Sequence, residues 1–297
     1  MKHKFATLDV FTDTRFAGNS LAVVFDADGI DSEAMQAVAR EFNHPETVFV
    51  LKPKAAGSTA GARIFTPGRE MPFAGHPTVG TALVLTLRRG AGNDVVLEEK
   101  IGLVKCRVVP EGSDHGRSSF IIPAMPSEAG AAASREAIAA ALGLAIDDVG
   151  FDGHQPSRWS AGNAFTFVPL RSIEAVRRCQ IVDACWSAGF ETHGPAGAFV
   201  FCRQTEDKGN DFHARMFAPS FGVREDPATG SAAAAFAGFC AKSLSLGNGE
   251  HRFTIEQGFE MGRPSLIELG VTMHDGTLAS ATVGGPAIIV TEGTIEV

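Results

Sequence analysis

Two side chains suited to proton transfer occupy matching places in this sequence, His76 in GHPTVGTA and Asp226 in REDPATGSA. Each is followed by a proline, and each run continues to a glycine, a hydroxyl residue and an alanine: Gly80-Thr81-Ala82 and Gly230-Ser231-Ala232. Imidazoles and carboxylates are the usual groups of general acid–base catalysis. A third group is Glu46 in NHPETVFV, where a helical run gives way to an apolar strand. Partial desolvation there, against Val48 and Phe49, would raise its pKa toward a useful range. Each residue also has a bland account. Asp226 could be a helix N-cap with Pro227 in the first turn, Glu46 a solvated loop acid, and His44 a structural or solvent-facing histidine.

The repetition extends beyond the two runs. Arg63-Ile64-Phe65-Thr66-Pro67 matches Arg215-Met216-Phe217-Ala218-Pro219, Ala17-Gly18-Asn19 matches Ala161-Gly162-Asn163, and Leu97-Glu98 matches Ile255-Glu256, all in one order. A spacing this long describes a duplicated domain and not a solenoid. The chain length of 297 residues fits two domains of ordinary size. The expected boundary follows SSFIIPAMPSEAGAAAS, where Pro123 and Pro126 end a strand-like run and a weakly patterned Ala/Gly segment begins. This gives domains 1–125 and 126–297, with the last strand able to return to the first.

The elements that must position these groups are mostly strands. HKFATLDVF, NSLAVVFD, TVFVLKP, ARIFTP, DVVLEE and LVKCRVVP are short β-prone runs bounded by turn residues. DSEAMQAVAREF carries apolar residues at helical spacing, and PTVGTALVLTLRRG reads as a helix closed by two arginines and Gly90. The second half repeats this order, with IEAVRRCQIVDACWSAG in the place of the first half's leading helix. Its later helix, SAAAAFAGFCAKSLSLG, is apolar nearly all round and must be buried. The expected fold is therefore α+β, two pseudo-symmetric domains, each a β-barrel-like sheet wrapped around a central helix. With pseudo-twofold packing, both motif helices would aim their N-termini at one cleft and offer N–H groups to a substrate carboxylate. Gly75, Gly80 and Gly230 suit either close backbone approach or tight helix packing, and Thr81 and Ser231 add hydroxyls.

Composition bounds the remaining choices. Hydrophobic residues make up 44% and charged residues 20%, enough for two cores and unlike a disordered chain. A net charge of −8 without basic clusters argues against nucleic acid. No apolar run reaches membrane-spanning length and the N-terminus lacks a signal-peptide core, so a cytoplasmic location is expected. The five cysteines are odd in number and lack metal-ligand or redox spacing, and reduced core thiols are expected. Phosphate-loop fingerprints are absent as well. Three function classes stay open on the residues alone: a proton-transferring enzyme, a metal hydrolase assembled in space from His44, Glu46, His76 and Asp226, and a non-catalytic carboxylate-binding protein.

The combination AGNSLAVVF, HPETVFV, RIFTPGREMPFAGHPTVGTA, FGVREDPATGSA and EQGFEMGRPS, in this order and over nearly the whole chain, resembles the PhzF-like family of phenazine-biosynthesis isomerases. The resemblance implies a diaminopimelate epimerase-like fold and a homodimer. It also implies isomerisation of a small carboxylate, as of trans-2,3-dihydro-3-hydroxyanthranilate, without cofactor or metal. It assigns Glu46 as the proton-moving base, matches His76 and Asp226 to the family's histidine and aspartate, and places Gly75 and Ser231 at the substrate. An amino-acid epimerase is the alternative within the fold. Fold relatives of that kind use two cysteines at the helix starts, and neither motif here contains one. Ala233 stands where other members carry histidine or glycine, a departure that bears on substrate identity.

Overall fold

A computed structural model describes residues 1–297. The chain divides into two compact units, Met1–Pro123 with Val283–Val297, and Ala124–Thr282. The first unit contains β1 (Lys2–Val10), β2 (Asn19–Val24), α1 (Ser32–Phe42), β3 (Glu46–Leu51), β4 (Ala60–Phe65), β5 (Glu70–Met71), α2 (Gly75–Arg89), β6 (Asp94–Glu99), β7 (Gly102–Pro110) and β8 (His115–Ile121). The second contains β9 (Ser127–Glu128), α3 (Arg135–Leu142), β10 (Ser157–Ser160), β11 (Ala164–Pro169), α4 (Ile173–Arg178), α5 (Asp183–Phe190), β12 (Gly197–Cys202), β13 (Phe212–Ala218), β14 (Val223–Asp226), α6 (Gly230–Ser243), β15 (Gly249–Gln257) and β16 (Ser265–His274). The long β17 (Thr277–Glu296) begins in the second unit and ends in the first.

In the first unit the pairing closes on itself, running β17, β1, β2, β3, β4, β6, β7, β8 and back to β17. Two of these neighbours are parallel, β2 with β3 and β4 with β6, and the other registered pairs are antiparallel. Helix α2 fills the barrel and is buried from Gly75 to Leu85. Gly80 lets it do so: a Cβ there would lie 2.6 Å from Leu21 Cδ2 and 2.9 Å from Val10 Cγ2. Of the two readings of this glycine, tight packing is the one realised. The helix ends at Gly90, whose left-handed φ of 64° closes it as expected. Outside the barrel, α1 is capped by Asp31 and lays Met35, Val38 and Ala39 on the sheet.

The second unit repeats the pattern of pairing and polarity. β10 is antiparallel to β11, β11 parallel to β12, β12 antiparallel to β13, β13 parallel to β15, and β15 antiparallel to β16. Helix α6 takes the place of α2. Its alanines let the sheet approach, while Phe236 and Phe239 stack at 5.1 Å and meet Phe201 at 4.8 and 5.1 Å. Burying such rings contributes about 1.5–3 kcal/mol each.

Two stretches differ from the sequence expectation. IEAVRRCQIVDACWSAG forms two short helices, because the Arg215 guanidinium donates to the carbonyls of Val176, Arg177 and Cys179 and so ends α4 there. The Ala/Gly segment after Pro126 contains a true helix, α3, capped by Ser134 and closed by Gly143. Four of the five cysteines are buried and all are free thiols. No helix is long and apolar enough to cross a membrane.

Candidate active site

Glu46 is the first residue of β3, and His76 lies in the first turn of α2. Because β2 and β3 run parallel, Asn19 and Ser20 at the start of β2 lie at the same barrel end as Glu46, whose registered partner is Leu21. The duplicated Ala17-Gly18-Asn19 block supplies that start. Gly18 has φ of 63° and no room for a Cβ, which would sit 2.4 Å from the Val10 carbonyl oxygen. Only glycine makes this turn without strain.

The imidazole and the acid meet at 3.2 Å, His76 Nε2 to Glu46 Oε2, and neither atom reaches solvent. The His76 side chain is 6% exposed and that of Glu46 17%, so the acid is the member open to a ligand. Burial pushes the His76 pKa down to about 3; a hydrogen bond to the Ser20 backbone opposes this and the nearby charge of His44 adds to it. The ring is therefore neutral near pH 7. His44 Nδ1 lies 3.1 Å from Ser20 Oγ, which ties it to the cluster. The sequence reading gave His44 a default structural role and used Asn19 only to align the duplication. The signal for Ser20 was its place beside that repeated block.

A further acid stands behind His76. Glu99, at the end of β6, is buried, and its Oε1 lies 2.7 Å from the Thr78 hydroxyl in the first turns of α2. That hydroxyl is also 2.8 Å from the Ala74 carbonyl oxygen. The Thr78 hydroxyl is thus shared between two acceptors. Desolvation pushes Glu99 up to about 8, against the Thr78 bond that pulls the acid's pKa down, in keeping with a neutral carboxylic acid. Sequence reasoning did not single out this residue, since nothing local marks a strand-end glutamate as buried.

The second unit holds its own polar group. Asp226 ends β14, and its Oδ2 accepts from the Thr229 hydroxyl at 2.5 Å. Gln257 at the end of β15 is fully buried and grips the same segment, donating to the Asp226 carbonyl at 2.7 Å and accepting from the Thr229 N–H at 3.1 Å. Helix α6 begins only at Gly230, with Thr229 as N-cap, so Asp226 is not the cap and Pro227 lies ahead of the first turn. The matched positions His76 and Asp226 thus differ in backbone as well as side chain: one is inside its helix and the other on a strand. Gly75 and Gly230 are the first residues of their helices, and Ser231 follows half-buried. Thr81 is fully buried five residues beyond His76, and its hydroxyl has no hydrogen-bond partner.

A family model described as phenazine biosynthesis-like protein matches residues 8–293. An uncharacterized isomerase from Mesorhizobium japonicum is 45% identical over 295 residues, covering 97% of this chain and 96% of that protein. Trans-2,3-dihydro-3-hydroxyanthranilate isomerase from Pseudomonas chlororaphis is 34% identical over 298 residues, covering 99% of each. The crystal structure of a PhzF-family phenazine biosynthesis protein from Bacillus anthracis superposes with a TM-score of 0.89 at 26% identity, over 100% of both chains.

Proposed function

This chain belongs to the phenazine biosynthesis-like family, whose members compared above include named isomerases, and we propose that it isomerises a small, unsaturated carboxylate by moving a proton between carbons. The observation that carries this reading is the pairing of Glu46 with a neutral, buried His76 at 3.2 Å. An imidazole held far from protonation does not strip Glu46 of its role; it packs beside the carboxyl at 3.2 Å and limits where that side chain can sit. The Glu46 carboxylate takes a proton from an acidic C–H, the double bond shifts, and the same proton returns to the other end of the unsaturated system. No electrons leave the substrate, so the step calls for no oxidant or reductant, and the proposed route uses only the side chains of this chain. Glu46 opens an apolar strand and keeps 17% side-chain exposure, so it is placed to reach a substrate C–H.

Gly75, with the first turn of α2, is assigned to binding the substrate carboxylate through backbone N–H groups. Asp226, Gly230 and Ser231 are assigned to holding substrate by the duplication and the family resemblance, and Thr81 to supporting the α2 side of the site. Trans-2,3-dihydro-3-hydroxyanthranilate, the substrate named for the Pseudomonas chlororaphis relative, is the first compound to test. The chain is further proposed to act as a homodimer. Leu103, Val109 and Ile121 support this: they lie on the outer face of β7 and β8 at 49%, 51% and 50% exposure.

The deciding experiment is proton NMR in D2O with this compound and with other small unsaturated carboxylates, run beside Glu46→Gln. Wild type is expected to form isomer, with deuterium entering carbon only where the proton held on Glu46 exchanges with solvent before it returns. Glu46→Gln should lose at least about 100-fold in kcat, the scale of general base catalysis, while still binding substrate. Near-normal turnover by the variant would sink the assignment of Glu46.

A further inference from the structure

The second unit contains a cavity of about 580 Å³ whose walls carry Arg135, Arg171 and Arg203. The three guanidiniums arrive from separate elements. Arg135 opens α3, Arg171 follows β11, and Arg203 follows β12. Strands β11 and β12 are parallel, with Pro169 registered against Phe201, so Arg171 and Arg203 leave the same sheet edge two residues beyond that pair. Guanidiniums that line one cavity repel, and an anion bound among them relieves that repulsion. None of the three has a carboxylate within ion-pair distance, although the protein as a whole carries a net charge of −8. Asp152 is the one acid among the lining residues.

Each arginine is also held in place. Arg135 Nη2 donates to the Ile146 carbonyl at 2.9 Å, while its Nε is shut off from solvent without a partner. The Arg203 guanidinium lies over the Phe212 ring at 4.4 Å. The Arg171 N–H donates to the Asp148 carbonyl at 3.0 Å, which fixes the backbone carrying that side chain. Gln204 uses its side-chain oxygen on the Ile173 N–H at 3.0 Å, which leaves its amide N–H2 as a donor for the cavity. The loop that forms the floor, Gly150 to Gly153, is bent by positive φ at Gly150, Asp152 and Gly153.

From this convergence of three unpaired arginines on one cavity, we propose that the second unit binds a small molecule bearing a phosphate or diphosphate ester, at a site separate from Glu46 and His76. A single carboxylate is satisfied by one bidentate guanidinium, whereas three guanidiniums with an amide donor match the several oxygens and higher charge of a phosphate. The volume lies within the range of small-molecule sites and leaves room for an organic body beside Phe151.

Isothermal titration calorimetry at low salt tests the assignment with inorganic pyrophosphate, phenyl phosphate and benzoate as probes. Wild type and Glu46→Gln are expected to bind pyrophosphate and phenyl phosphate alike, more weakly as salt rises. The Arg171→Ala/Arg203→Ala variant changes two exposed side chains and should lose at least tenfold in affinity while staying folded, with only the small drop in thermal midpoint expected from losing the Arg203–Phe212 contact. Arg135→Lys, which keeps the charge but not the fork, should show an intermediate loss. Failure of wild type to bind either phosphate probe, equal binding by the double variant, or benzoate binding as tight as phenyl phosphate would each overturn the proposal. A loss of binding in Glu46→Gln alone would also do so, by moving the anion to the reaction site.

Discussion

The acids and imidazoles of the first unit divide by how much solvent each keeps. His76 is sealed and neutral, Glu46 retains an open edge, and Glu99 is a buried acid that keeps its proton. The duplication explains why Glu99 is tolerated. Leu97-Glu98 aligns with Ile255-Glu256, so its counterpart is Gln257, a neutral amide that grips the start of α6 as Glu99 grips the start of α2. The pH sign follows from a folded pKa raised from 4.5 to about 8. The neutral acid's contribution is complete below pH 4.5 and is lost as pH rises through about 8. Glu99→Gln should therefore match wild type in thermal midpoint near pH 4 and exceed it by several degrees at pH 8. Equal midpoints across that range would show that Glu99 is not held neutral. His76 has the opposite sign, since its folded pKa is depressed. Its contribution is present above pH 6.5 and is lost as pH falls toward 3, and His76→Asn should remove that acid sensitivity.

Among the elements, β13 and β15 show how a buried ion network fixes a parallel strand pair. His213 donates from Nδ1 to Glu256 at 2.9 Å and from Nε2 to Glu260 at 2.8 Å, with the His213 and Glu256 side chains fully buried. Glu256 also accepts from the N–H groups of Glu206 and Asp207 and from Asn210, which pins the loop before β13. Burial lowers the imidazole's pKa, but the two carboxylates outweigh it and bring it up to about 9. This charge contributes fully below pH 6.5 and its contribution is lost as pH rises through about 9. His213→Gln leaves the buried Glu256 carboxylate without its cation and should cost about 3–5 kcal/mol at neutral pH. Chemical denaturation at pH 7 and at pH 10 checks both statements: the variant should lack the alkaline step that wild type shows. Strand and helix periods made most of these elements legible. Helix α3 was missed because its alanines carry little amphipathic pattern, although Ser134 and Gly143 mark its ends. The break between α4 and α5 was not legible because a distant strand residue, Arg215, causes it.

At the scale of the whole molecule, the duplication is written into the pairing order of the strands, with parallel neighbours at the same two places in each unit. The proposed homodimer is argued at this scale from Leu103, Val109 and Ile121. Three large apolar side chains on the outer faces of adjacent strands are a feature that a second copy would cover. Light scattering is expected to give twice the chain mass for wild type and the monomer mass for Leu103→Glu/Ile121→Glu. A monomeric wild type would remove the dimer from the proposal and leave the Glu46 chemistry intact.

By itself the sequence determined the duplication, the α+β class, the two buried helices and the residue types able to move protons. Each of these depends on local spacing or on apolar period, which neighbours along the chain express. Tertiary structure decided which of those residues meet. Glu46 and His76 are far apart in the chain and come within 3.2 Å only because parallel β2 and β3 and the barrel around α2 bring their starts to one end. It also decided that Gly80 serves packing, that Asp226 lies on a strand and not at a helix cap, and that Glu99 is buried beside Thr78. Desolvation and contact are properties of the folded surroundings, and these set a group's protonation state where residue type sets only its range.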